Sequence, residues 1–207
     1  MITTVLAVVG YSDSGKTKVA SSLIKTLTEK GYRLAAVKHC PHGHEVDLAD
    51  SDTDRLYKAG AVTVVASSPQ RLTKFERVTA DSALESIVST IGDGIDLVIA
   101  EGFKSSTVPK VLVGNGASPT PIPDDLIAIV TDEPRTWDIP TYSTDELHKL
   151  ADQIRSQFLE ARPTGPSVSL VVDGVPVPLK DYPCDALSGI LKGFVGALKW
   201  DPTQHTW

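Results

Sequence analysis

Residues 5–17, VLAVVGYSDSGKT, constrain the fold of this chain more than any other stretch. A short apolar run, Val5 to Val9, stops at Gly10. Gly10-Tyr11-Ser12-Asp13-Ser14-Gly15-Lys16-Thr17 then satisfies G-x-x-x-x-G-K-[ST] at every position. Such a loop turns tightly and aims successive backbone N–H groups inward, where phosphate oxygens accept them. Gly10, Ser12, Asp13, Ser14, Gly15, Lys16 and Thr17 are therefore the candidate phosphate-binding residues. Lys16 brings a mobile positive charge to the outer phosphates, and Thr17 offers a hydroxyl to Mg²⁺. The helix that follows adds the positive end of its dipole. A Gly-rich turn without function is the alternative, but here a strand precedes the loop and a helix follows it.

That helix is expected from Lys16 to Lys30, with Val19, Leu23 and Leu27 on one face, and Gly31 stops it. Leu34 to Val37 reads as a short buried strand. Residues 39–54 are polar and acidic, a loop long enough to suspect function. A short helix over 54–59 and strands over 62–66 and 72–78 follow. Ser82-Ala83-Leu84-Glu85 has the pattern of a capping box, with a helix reaching Ile91. Further strands are expected at 95–100, 108–113 and 126–130. A second capping box, Ser143 to Glu146, opens a helix carrying Leu147, Leu150, Ala151, Ile154 and Phe158. Strands alternating with helices imply an α/β fold of the P-loop NTPase type, its mostly parallel sheet flanked by helices.

Residues 1–162 make up this nucleotide-binding domain, and the Pro- and Gly-containing stretch 163–166 reads as a linker. Residues 167–207 form a small ββα unit. Asp173-Gly174 sits between two apolar runs, a strong hairpin signal, and a helix over 184–199 closes the chain.

Charge narrows the partners. Net charge is −6 and the isoelectric point about 5.3, and no basic run is present to neutralise a polyanion, which argues against nucleic acid. No stretch reaches the roughly 18 apolar residues of a membrane span. Cys40 and Cys184 are far apart and form no CxxC pair, and the start of the chain lacks the features of a secretory signal. The expectation is a cytoplasmic protein.

In open α/β sheets, ligands bind beyond the carboxyl ends of the strands. Asp96 to Glu101, DLVIAE, delivers Glu101 to that edge. There the carboxylate can help hold Mg²⁺ or orient an attacking water, or simply be solvated. Glu101 and Lys16 are the candidate catalytic residues. Asp47, Asp50, Asp52 and Asp54 crowd one loop and need a cation or a basic partner; Arg55 and Lys58 are near enough to serve. His39, Cys40, His42 and His44 include ligand types suited to Zn²⁺ or Ni²⁺, with polar contact to a nucleotide or partner as the other reading. Lys104 and Lys110 flank the Glu101 loop and either neutralise phosphate or face solvent. Asp132, ending the last of these strands, either accepts the N1 and N2 hydrogens of guanine or sits idle in a turn.

Four segments in this order, GYSDSGKT, VKHCPHGHEVDLADSDTDRLYKAGA, DLVIAEGFK with a following PK, and LIAIVTD, resemble the molybdopterin-guanine dinucleotide biosynthesis adapter family, MobB. The second segment is much more specific than the phosphate loop. The resemblance implies a homodimeric, GTP-binding and weakly hydrolysing partner of the molybdenum cofactor guanylyltransferase, with GTP and Mg²⁺ as ligands. It makes molybdopterin a further candidate ligand. It places His39, Asp47, Asp52 and Arg55 in the second motif and Glu101 to Lys104 in the third, with Lys110 in the Pro-Lys pair. On that ground Asp47 and Asp52 join Thr17 and Glu101 as candidate Mg²⁺ residues, and His39, His42 and Arg55 become candidate ligand or partner contacts. Two departures stand out: Lys18 replaces a usual Thr, and Gly114 stands near where an Arg often closes the strand.

Two competing readings are a metallochaperone GTPase built on the His39–His44 cluster and a small-molecule kinase. Against the first, Tyr11 stands where many such GTPases carry a loop lysine. Against the second, residues 101–125 contain no Arg for a lid.

Overall fold

The computed structural model describes residues 4–41, 43, 49–92, 94–114, 123–133, 138–160, 170–172, 175–177 and 181–197. Its centre is a six-stranded sheet in the order β2-β5-β1-β6-β7-β8. The strands are β1 (Thr4–Val9), β2 (Leu34–Lys38), β5 (Leu97–Glu101), β6 (Lys110–Val113), β7 (Leu126–Val130) and β8 (Thr141–Tyr142). Every pairing within it is parallel, so all carboxyl ends share one edge. The two-residue β8 extends the sheet beyond the expected strands.

Side chains alternate across each strand. Leu6 and Val8 of β1 face one side, with Leu97, Ile99, Val111 and Val113. There they meet α1 (Lys16–Glu29) and α4 (Leu147–Ile154), which bury Val19, Leu23, Leu27, Leu150 and Ile154. Ala7 and Val9 face the other side with Ala100, Leu112 and Ile129, where the cover is α3 (Leu84–Ser89). This second layer is thin: Leu84 is the buried residue of α3.

Several expectations change in detail. The two strands expected at 62–66 and 72–78 form β3 (Thr63–Ser68) and β4 (Arg71–Glu76), an antiparallel hairpin separate from the main sheet. Helix α2 spans Asp52–Lys58, because Ser51 caps it by accepting from the Asp54 N–H at 3.1 Å. The box expected at Ser82 does not form; Ala83 takes the N-cap position of α3 without a side-chain bond. The box at Ser143 does form, on a 3₁₀ turn (Thr144–Glu146) leading into α4. The C-terminal hairpin pairs β9 (Leu170–Val172) with β10 (Val175–Val177), and α5 spans Asp181–Ala197. The expected linker, 163–166, lies outside the described residues. No helix among the described residues is long and apolar enough to cross a membrane.

Candidate functional site

The phosphate loop leaves the centre of the sheet, where β1 runs between β5 and β6. Gly10 passes hard against β6. A Cβ there would lie 2.2 Å from the Val113 carbonyl oxygen and 2.7 Å from Ser14 Oγ, so only glycine fits. Asp13 (φ 58°) and Gly15 (φ 91°) take left-handed backbone, which curls the loop back onto the start of α1. Gly15 is the N-cap and supplies no side-chain acceptor, and the first turn of α1 carries no acid. The first-turn N–H groups are thus left for an anion. Ser14 Oγ is buried and has no hydrogen-bond partner among the described residues. Lys16 reaches back across the loop and donates to the Tyr11 carbonyl at 2.5 Å. Open amides, an orphaned hydroxyl and a glycine-only approach fit a bound phosphate chain.

Glu101 ends β5 beside the loop. The Thr17 hydroxyl lies 2.9 Å from each of its carboxylate oxygens, and Lys38 Nζ lies 3.2 Å from Oε1. Lys38 and Glu101 are register partners across β2 and β5. A hydroxyl and one carboxylate beside a phosphate cradle suit Mg²⁺, which binds through few protein ligands plus phosphate oxygens.

Beyond Glu101 the site opens into a cleft of about 870 Å³, lined among others by Lys16, His39, Asp81, Glu101, Phe103 and Lys104. The His39 N–H donates to the Glu101 carbonyl at 3.0 Å. The His39 ring lies 2.7 Å, through Nε2, from Asp81 Oδ2 and packs on Phe103 with centroids 5.0 Å apart. Gly102 permits this packing, since a Cβ there would come within 3.0 Å of His39 Cβ. Phe103 is left-handed at φ 54°, a conformation that costs a non-glycine residue about 1–2 kcal/mol.

The structure thus gathers the loop, Lys16, Thr17, Glu101, His39 and Lys104. Asp52 and Arg55 stand apart, exposed on α2 and 4.0 Å from each other. Their helix carries them outside the cleft lining. Asp47 and His42 lie outside the described residues, as does His44. Among the described residues no three His, Cys, Asp or Glu side chains group to hold a metal ion.

Two expected phosphate or base contacts are turned elsewhere. Lys110 is 2 % exposed, because β6 lies between β1 and β7. Its ammonium donates to the carbonyls of Val108 at 3.2 Å and Asp124 at 3.1 Å. It braces a loop beneath the sheet edge rather than lining the cleft. Lys110→Ala should lower unfolding free energy by about 2–4 kcal/mol, from lost packing and two unpaired carbonyls. Chemical denaturation measures this, and nucleotide affinity of the folded variant should be unchanged. Asp132 follows β7, two strands from β1, and its carboxylate accepts from the Thr144 N–H at 2.7 Å and hydroxyl at 3.0 Å. These bonds, with the nearby Lys18 charge, hold its carboxyl below the usual range. Asp132 is therefore ionised and already pinned to the turn before α4.

Lys38 and Asp81 belong to the site but were not among the candidates. The end of β2 reads one residue short from its apolar pattern, which makes Lys38 look like loop. Asp81 sits in irregular chain with no motif, and its partner His39 is 42 residues away.

Residues 5–132 match the family model "Molybdopterin guanine dinucleotide synthesis protein B". A molybdopterin-guanine dinucleotide biosynthesis adapter protein of Escherichia coli is 30% identical over 155 residues, covering 71% of this chain and 89% of its own. Its counterpart from Haemophilus influenzae is 28% identical over 155 residues, covering 73% and 87%. Among solved structures, a molybdopterin-guanine biosynthesis protein B aligns with a TM-score of 0.62 at 29% identity, over 73% of this chain and 98% of the other. Bacillus subtilis MobB aligns with a TM-score of 0.62 at 25% identity, over 75% and 98%. With its phosphate loop, Glu101 and His39 all inside the matched region, the chain belongs to the MobB family.

Proposed function

We propose that this protein is a GTP-binding adapter of molybdopterin guanine dinucleotide biosynthesis, a weak GTPase that assists the guanylyltransferase. The observation that carries the reading is the Gly10–Thr17 cradle, with Thr17 tied to Glu101 at 2.9 Å. In this reading the loop amides, Ser14 and Lys16 bind the phosphates. Thr17 and Glu101 hold Mg²⁺, whose chemistry is to neutralise phosphate charge. In the same reading Glu101, held by Thr17 and Lys38, orients a water at the terminal phosphate.

Slow turnover accords with the described lining of the cleft. No Arg is among its described lining residues, and an arginine finger accelerates such hydrolysis by about 10³- to 10⁵-fold. Weak hydrolysis suits a protein that holds nucleotide and partner together rather than one that turns over quickly.

A homodimer is part of the proposal. The β3–β4 hairpin and its flanks expose Val62, Val65, Leu72 and Val78, an apolar surface more typical of an interface than of a lone chain. Sedimentation should find a dimer.

Guanine selection is tested by calorimetry with GTP and ATP in Mg²⁺. GTP should bind at least about tenfold tighter, a difference of about 1.4 kcal/mol; equal affinities would sink the guanine assignment. Co-purification of the guanylyltransferase tests the adapter role separately.

A further inference from the structure

Lys38 lies where no motif puts a phosphate-binding residue. It ends β2, on the far side of β5 from the phosphate loop. Its Nζ and the Thr17 hydroxyl both approach Glu101 Oε1, at 3.2 Å and 2.9 Å. One carboxylate oxygen is thus bracketed by the first turn of α1 and by a cation arriving from the opposite side.

The Lys38 side chain is 57% exposed while that of Glu101 is 14% exposed, so the ammonium reaches solvent from a largely buried partner. A lysine ammonium has three donors, and the pairing with Glu101 leaves others for an oxyanion. Lys16 donates to the Tyr11 carbonyl and Lys104 lines the cleft, whereas Lys38 is the cation paired with Glu101 itself. In the phosphate-loop reading, the terminal phosphate of a triphosphate is the group set nearest Glu101, and Lys38 is paired with that carboxylate.

We propose that Lys38 is the specificity-determining residue for the terminal phosphate, the contact by which this site distinguishes a nucleoside triphosphate from a diphosphate. The proposal rests on the phosphate-loop reading above and deepens it. Lys38 acts by a charge-assisted bond from its ammonium, and its resting partner Glu101 is itself part of the cleft wall.

The test compares GTP and GDP affinities, by calorimetry in Mg²⁺, for the full chain and for Lys38→Met, Lys38→Arg and Lys16→Ala. Lys38→Met should weaken GTP by about 10- to 100-fold, the worth of one charged hydrogen bond. GDP affinity should stay within about twofold, and Lys38→Arg should recover most of the loss. Equal weakening of GTP and GDP, or no change in either, overturns the proposal. Lys16→Ala separates the two levels. If it weakens both nucleotides while Lys38→Met changes neither, the loop reading stands and the Lys38 proposal falls. If Lys16→Ala changes neither, the loop reading fails and the Lys38 proposal with it. Melting temperature checks that each variant is folded.

Discussion

Lys16→Ala should reduce affinity for GTP by at least about 100-fold, a loss of about 2–3 kcal/mol, and should weaken GDP as well. The reason is local. The ammonium crosses the loop to the Tyr11 carbonyl, so it stands over the cradle that, in the proposal, both nucleotides would share. It takes no part in the apolar core, which on this side is built from Val19, Leu23 and Leu27 of the same helix. The variant should keep its far-ultraviolet circular dichroism and melt within a few degrees of the parent. Calorimetry decides it: a variant that binds GTP as tightly as the parent would remove the phosphate site from the proposal.

Glu101→Gln should produce the second large effect. The substitution keeps the shape and one acceptor oxygen but removes the charge that faces Lys38 and the Thr17 hydroxyl. GTP hydrolysis should fall by about 100-fold or more, the usual loss when a positioned carboxylate no longer handles the attacking water. The gain in GTP affinity that Mg²⁺ provides should shrink by about tenfold, since one anionic ligand is gone. A magnesium titration of GTP binding reads this independently of turnover. If both hydrolysis and the magnesium dependence are unchanged, Glu101 has neither role.

The phosphate loop could be read directly because its constraints are covalent and local. Eight consecutive residues specify where glycine is needed, while the partner that crowds Gly10, the Val113 carbonyl, comes only from the fold. Glu101 was legible for a related reason: an acid directly after an apolar run falls at the carboxyl edge of a parallel strand. What depended on distant chain was not legible. Lys110 sits in the same kind of strand, but its burial comes from neighbours β1 and β7, and nothing near it in sequence says so. The alternation over 62–78 identified two strands but could not say that they pair with each other rather than join the main sheet. Ser82 has the right neighbours for a cap, yet the N-cap falls one residue later, on Ala83, and the helix starts at Leu84; local preference lost to the packing of Leu84 against the sheet. His39 was a candidate, but its tie to Asp81 needed the fold.

The unequal cover of the two sheet faces sets an order of loosening. On one side the amphipathic helices α1 and α4 clamp the strands with several buried residues each, while the other side relies on a six-residue helix with one buried leucine. Regions with few buried contacts open at lower free energy than the core. Hydrogen exchange should therefore reach the amides of α3 well before those of α1. Asp81 stands just ahead of α3 and lines the cleft, so loosening of that helix would reach the wall of the cleft while leaving the central strands in place.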